Sequence, residues 1–318
     1  MSKNIKNRKV VLVGCGFVGM SFVYSSINQG IFDEYYLIDV CEDISKGNAL
    51  DVSDAIPSLP HKVKCVKNGT YSDCADADII VITAGLNQKP GETRIDLIEK
   101  NSKIMQHIAS EIKKSGFSGI TIIASNPVDI LTTLYYKFTG FNMNKIIGSG
   151  TSLDSARLIR LISEKLDVSS KSISAYVIGE HGDTSISVFS NVAIGGVLLK
   201  DYQHKPSLSV NEMKKIHKEV VSLAYKIISY KKATYYGIGA ALSNICNAII
   251  KDSNSIIPLS IVTKDSQGMF IGYPAMVNAT GWVKPIYLNL SPDEKKGFKN
   301  SCTQMKKVFD AAILKLNN

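Results

Sequence analysis

A doubly wound parallel α/β sheet, followed by an α+β part with antiparallel strands, is the fold class this sequence predicts. Three observations predict it. Short apolar runs rich in β-branched residues alternate with helical stretches through the first 148 residues. The first run leads directly into a glycine-spaced turn, Gly14-Cys15-Gly16-Phe17-Val18-Gly19. Beyond Gly148 the strict alternation stops, and capped helices enclose strand candidates of another kind. Runs that are apolar on both faces belong in a sheet covered on both sides, which is the parallel arrangement. The pattern divides the chain into a first domain over residues 1–148 and a second over 149–318.

In chain order, Lys9-Val10-Val11-Leu12-Val13 reads as a strand that enters the glycine turn, and a helix candidate runs from there to Gly30. The next run, Tyr35-Tyr36-Leu37-Ile38, ends in Asp39, twenty residues after Gly19. Strand, G-x-G-x-x-G turn, helix and a distant acid together form a dinucleotide-binding fingerprint of the Rossmann type. The glycines let the main chain approach a pyrophosphate, and the free N–H groups of the helix start attract it. Asp39 would accept hydrogen bonds from ribose hydroxyls and repel a 2′-phosphate, which favours NAD over NADP.

Further strands are expected at Asp78 to Thr83 and Ile120 to Ala124, around a helix from Ile95 to Lys114 in which Ile104, Ile108 and Ile112 share a face. Ligands of such sheets bind beyond the carboxyl ends of the strands, which here are Thr83-Ala84-Gly85 and Ser125-Asn126-Pro127. In the second domain a helix is expected from about Leu153 to Leu166, and another from Ser209 to Lys232 with Ser209 and Glu212 in capping-box register. Ser291 and Glu294 repeat that box before the last helix. Strand candidates lie between, at Ser260 to Val262, Met269 to Ile271 and Lys284 to Leu288.

Composition narrows the function class. Thirty-seven Lys and Arg against 28 Asp and Glu give a net charge of +9, which suits acidic small ligands. The basic residues are scattered rather than massed, so nucleic acid is not expected as a partner. Six cysteines show no C-x-x-C spacing and read as reduced thiols; with the five histidines they offer no ligand spacing, so no metal is expected. The polar segment from Met1 to Arg8 has no secretory apolar region, and no 18-residue apolar span is present, so the expected setting is the cytoplasm, away from the membrane.

One stretch concentrates chemistry. Gly179-Glu180-His181-Gly182-Asp183 follows the apolar run Ala175 to Ile178 and places an imidazole between two glycines. Histidine takes up and returns protons near neutrality, so a strand that delivers one to a glycine-walled opening suits acid–base work. Asp154 and Arg157, three apart on a predicted helix, share a face. The acid is a candidate to hold the tautomer of His181, and a guanidinium left free by it is a candidate clamp for a carboxylate. The alternative is a surface salt bridge beside a surface histidine. The polar loop from Gly85 to Arg94, with glycines near both ends, follows a strand of the first domain. If it closes, it brings Gln88 and Arg94 into the site, where Arg94 could polarise a carbonyl.

These segments, with Ala233-Thr234-Tyr235-Tyr236-Gly237, resemble the lactate/malate dehydrogenase family, and the L-lactate dehydrogenases of bacterial type within it, from Lys9 to about Phe309. The resemblance implies hydride transfer between NADH and pyruvate, giving (S)-lactate and NAD, with His181 as proton donor and acceptor. It implies that Asp154 orients His181, that Arg157 binds the substrate carboxylate and that Arg94 polarises the carbonyl. Asn126 would help to place substrate and nicotinamide, Ile238 would lie against the nicotinamide ring, and Tyr71 would lie near the cofactor. Gly14, Gly16, Phe17, Val18, Gly19, Asp39, Thr83, Ala84, Gly85 and Ser125 complete the implied NAD contacts.

Malate dehydrogenases of the family carry arginine where this chain has Gln88, to meet a second carboxylate, and Thr234 is the residue of lactate dehydrogenases. Pyruvate is therefore the expected substrate. Members activated by fructose 1,6-bisphosphate carry an arginine two residues after the carboxylate-binding one and a histidine seven before the catalytic one. Ile159 and Ser174 stand there, so no such activation is expected. The family often has a lysine where this chain has Ile44. The family's habit of assembly implies a homo-oligomer, usually a tetramer. Two rivals are a malate dehydrogenase and a dinucleotide-binding protein without turnover; salt-sensitive RNA binding without NADH oxidation would support the second.

Overall fold

The computed structural model describes residues 8–86, 94–204 and 206–317, with the side chains of 94, 95 and 315–317 outside that description. Six parallel strands come first: β1 (Lys9–Val13), β2 (Glu34–Ile38), β3 (Cys65–Asn68), β4 (Ile79–Ile82), β5 (Ile120–Ile123) and β6 (Ile146–Gly148). Their spatial order is β3-β2-β1-β4-β5-β6, with the chain reversing direction across the sheet between β1 and β4. Every residue of β1, β4 and β5 is buried, because helices cover both faces. The covering helices of this half are α1 (Phe17–Asn28), α2 (Glu42–Asp54), α3 (Arg94–Lys114) and α4 (Val128–Thr139). α1 buries Phe22, Val23 and Ile27; of the face the periodicity marked, α3 buries Ile108 and Ile112 while Ile104 is half-buried, and Met105 is buried beside them.

The second half opens with α5 (Ser152–Leu166), followed by five two-residue strands: β7 (Ile173–Ser174), β8 (Val177–Ile178), β9 (Ile186–Ser187), β10 (Ala193–Ile194) and β11 (Val197–Leu198). Then come α6 (Val210–Lys231) and α7 (Tyr236–Ile250), the strands β12 (Ser255–Val262), β13 (Phe270–Asn278) and β14 (Gly281–Pro285), and α8 (Pro292–Asn317). Both capping boxes form. Ser209 Oγ accepts the N–H of Glu212 while Glu212 accepts the N–H of Ser209 at 2.9 Å, and Ser291 and Glu294 repeat the exchange.

The antiparallel strands are present, and they extend the parallel sheet rather than form one of their own. β12 pairs with β6 at Ser260 opposite Gly148, so a nine-stranded sheet runs β14-β13-β12-β6-β5-β4-β1-β2-β3 through both halves. One main core follows this sheet. A smaller one lies in the second half, where Leu158 and Ile162 of α5 meet Ile216 and Val220 of α6 and Val177 of β8. Among the described residues no helix is long and apolar enough to cross a membrane. The cysteines are all free thiols, and burial pushes those of Cys15, Cys74 and Cys302 up to about 12.

Candidate active site

The carboxyl ends of β1, β2 and β4 open into a cavity of about 660 Å³. Gly14, Gly16, Asp39, Tyr71, Thr83, Ala84 and Gly85, all expected there from the sequence, line it. Its floor is tight main chain. Gly14 has φ +104°, and a Cβ there would stand 2.5 Å from the nitrogen of Ala84; a Cβ on Gly19 would stand 2.1 Å from the carbonyl of Gly14. Around Gly16 there is open space, so the loop presents bare backbone to the cavity. The Asp39 carboxylate accepts the N–H of Cys15 at 2.7 Å and of Cys41 at 3.0 Å, which ties the end of β2 to the glycine turn. Thr83 donates to the Gly14 carbonyl at 2.7 Å and Ser125 to the Ala84 carbonyl at 2.5 Å, locking neighbouring strand ends together. Bare backbone at a helix start, a carboxylate facing the cavity and apolar walls fit a dinucleotide whose adenosine ribose meets Asp39.

A second cavity, of about 360 Å³, adjoins the Ser125-Asn126-Pro127 turn. Asn126, Asp154, Arg157 and His181 line it together. Asp154 bridges two of them. Its Oδ2 lies 2.6 Å from Nδ1 of His181 and its Oδ1 lies 3.1 Å from Nη1 of Arg157. Arg157 thus does spend one nitrogen on Asp154, and among the described residues that is its one hydrogen bond. Burial raises the Asp154 pKa, but the charge and hydrogen bonds of His181 and then Arg157 outweigh it, so the carboxyl is held below its ordinary range. An ionised carboxylate only accepts, so Nδ1 of His181 carries a proton and Nε2 is the nitrogen left for other work. Burial alone would lower the His181 pKa; the charge of Asp154, its hydrogen bond and the more remote Asp129 reverse that and raise it. Burial lowers the Arg157 pKa against the pull of Asp154.

Other expected residues fall elsewhere. Phe17 is exposed at the start of α1 and stacks on Tyr235 with ring centroids 5.1 Å apart, and the Lys231 ammonium lies 3.4 Å over Tyr235. This links the glycine turn to the connection between α6 and α7, where Thr234 sits, and to Ile238 in the first turn of α7. Phe17, Val18, Gly19, Ser125, Thr234 and Ile238 do not line either cavity. Gln88 and the side chain of Arg94 lie outside the described residues. Sequence reasoning missed Asn101, which accepts the Leu86 N–H at 2.8 Å and donates to the Asn126 carbonyl at 2.8 Å, fixing both strand-end loops at once. It also missed the α6 wall of the second cavity, Val221, Ala224 and Tyr225. Their spacing of three and four was the available signal, but which object that helix face meets is a tertiary matter.

Comparison with known proteins follows the same geography. Residues 8–148 match the lactate/malate dehydrogenase NAD binding domain, and residues 151–315 match the lactate/malate dehydrogenase alpha/beta C-terminal domain. The class this defines is an oxidoreductase that uses NAD. The chain belongs to the lactate/malate dehydrogenase family. It is 51% identical over 307 residues to an L-lactate dehydrogenase of Malacoplasma penetrans, covering 96% of both chains. It is 47% identical to that of Mycoplasma capricolum, over 95% of this chain and 96% of the other. Among solved structures it is similar to a lactate dehydrogenase from a Medee basin deep-sea metagenome library, with TM-score 0.93 and 40% identity over 97% of this chain and 99% of that one. It is also similar to the ligand-bound minor L-lactate dehydrogenase of Enterococcus mundtii, with TM-score 0.92 and 40% identity over 96% and 98%.

Proposed function

We propose that this chain is an L-lactate dehydrogenase that interconverts pyruvate and (S)-lactate, with residues 1–148 holding NAD and 149–318 carrying the acid–base group. The observation that carries the reading is the Asp154 bridge, which presents a protonatable imidazole and a guanidinium side by side in one cavity. Gly14, Gly16 to Gly19, Asp39, Tyr71, Thr83 to Gly85 and Ser125 would hold NAD, which when bound would supply or take up the hydride at C2 of the substrate. Arg157 grips the substrate carboxylate through nitrogens not turned to Asp154. His181 gives its Nε2 proton to the developing alkoxide during reduction and removes it during oxidation, while Asp154 stabilises the imidazolium. Arg94 polarises the carbonyl, Asn126 and Thr234 help to place the substrate, and Ile238 backs the nicotinamide. These roles come from the family resemblance.

Gln88 is the selector in this reading. It offers no charge to a second substrate carboxylate, and burying one unpaired costs several kcal/mol, on the order of a thousandfold in discrimination. The chain is further proposed to work without activation by fructose 1,6-bisphosphate, and as a homotetramer in the cytoplasm. The test is NADH oxidation with pyruvate and with oxaloacetate. A kcat/KM preference for pyruvate of about a hundredfold or more is expected, reduced or reversed in Gln88→Arg. A preference of the unaltered protein for oxaloacetate would overturn the substrate assignment and favour a malate dehydrogenase.

A further inference from the structure

His181 is held at a second place. Asp129, in the first turn of α4, is 3% exposed, and its Oδ2 accepts the main-chain N–H of His181 at 2.8 Å. Its Oδ1 accepts the hydroxyl of Ser260, a fully buried residue of β12 at the position that pairs with Gly148. One carboxylate therefore ties together a helix of the first half, the loop that bears the imidazole and the strand that joins the two halves. Three residues before it stands Asn126, which lines the same cavity as His181. We propose that Asp129 is a positioning residue, which fixes the main chain of His181 while Asp154 fixes its ring, so that Nε2 keeps its distance from the substrate oxygen placed on the Asn126 side. The inference rests on the proton-transfer role assigned to His181 above.

A buried carboxylate needs a reason to be there, since an apolar side chain would fill the place without a desolvation penalty. The N-terminal turn of α4 favours its charge. Burial nonetheless pushes its pKa up to about 6, against the hydrogen bonds of Ser260 and His181. The groups that face it are the imidazole of His181 and the carboxylate of Glu180 from one loop, the hydroxyl of Ser260 from β12 and the thiol of Cys302 from α8, which burial keeps neutral. Asp154 of α5 holds the ring of the same His181, and Arg157 pairs with Asp154. Ionised Asp129 favours the imidazolium.

The experiment compares Asp129→Ala, Asp129→Asn and Ser260→Ala with the unaltered protein in kcat and KM for pyruvate, NADH affinity and the pH profile of reduction. Asparagine keeps the bond from His181 through its carbonyl and a contact to Ser260 with the direction reversed, its amide now donating, and it removes the charge. Asp129→Ala is expected to lose about tenfold to a hundredfold in kcat, with NADH affinity and pyruvate KM within about threefold. Asp129→Asn is expected to recover most of that loss, with the alkaline limb of the reduction profile moved to lower pH. Ser260→Ala, the mildest change, is expected to lose kcat severalfold, and serves if the Asp129 variants fail to fold. Unchanged kcat in Asp129→Ala or Ser260→Ala, a loss that only tracks the fraction of protein able to bind NADH, or an unmoved alkaline limb in Asp129→Asn would each overturn the inference. Failure of the unaltered protein to turn over pyruvate would instead overturn the proposed function.

Discussion

At the scale of single residues, the decisive arrangement is the sharing of Asp154 between a histidine and an arginine. Removing its charge alone, in Asp154→Asn, takes away the largest stabiliser of the imidazolium and the counter-charge of Arg157 together. Pyruvate reduction is expected to fall roughly a hundredfold or more in kcat/KM. The sign of the pH effect follows from the raised pKa of His181. With His181 as the proposed proton donor, reduction requires the imidazolium and is expected to persist above the ordinary histidine value of 6.5 and to be lost as pH rises through the raised one. Lactate oxidation would require the neutral ring and is expected to grow over the same range. In Asp154→Asn both limbs should move to lower pH, which steady-state profiles in the two directions will show. His181, Asp154 and Arg157 were legible in the sequence because glycines flank the first and helical spacing joins the other two. Asp129 was not, because its partner lies 52 residues away and nothing local announces the contact.

At the scale of elements, α5 and α7 carry the argument about regulation. Ile159 of α5 and Ser174 of β7 line one cavity of about 470 Å³, with Ser155, Tyr176 and Asn244 among its polar members. Among the described residues no charged side chain lines it. Arg160 is absent from its lining and pairs with Glu164 at 2.6 Å on the exposed face of α5. A sugar bisphosphate carries charges that such a wall cannot neutralise. Millimolar fructose 1,6-bisphosphate should therefore leave the pyruvate KM unchanged within about twofold, and a severalfold decrease would count against the reading. α6 and α8 were legible from their capping boxes and α5 from its pattern, whereas α7, which has no side-chain cap, was not. Of the two-residue strands, β8 lies in the apolar run read ahead of His181, while β7, β9, β10 and β11 were not legible, since so short a run carries no period.

At the scale of the whole molecule, the nine-stranded sheet changes what the boundary near Gly148 means. Sequence pattern showed where alternation ends, but strand period says nothing about which strand a new one will join, so the pairing of Ser260 with Gly148 was invisible. Trp282 of β14 sits where the halves meet: its indole N–H donates to the Met143 carbonyl at 2.9 Å, and its own carbonyl accepts from Asn144 at 2.9 Å. Two lobes joined only by a linker would melt one after the other. Here β12 pairs with β6 at Ser260 opposite Gly148 and the main core runs along the shared sheet, so the two halves are expected to unfold together. Denaturation followed by the fluorescence of this single tryptophan and by far-ultraviolet circular dichroism should trace one shared transition, and two separated midpoints would show that the lobes come apart independently. A chain wired in this way loses its catalytic geometry and its cofactor cradle at the same temperature, so residual NADH binding by heat-inactivated protein is not expected.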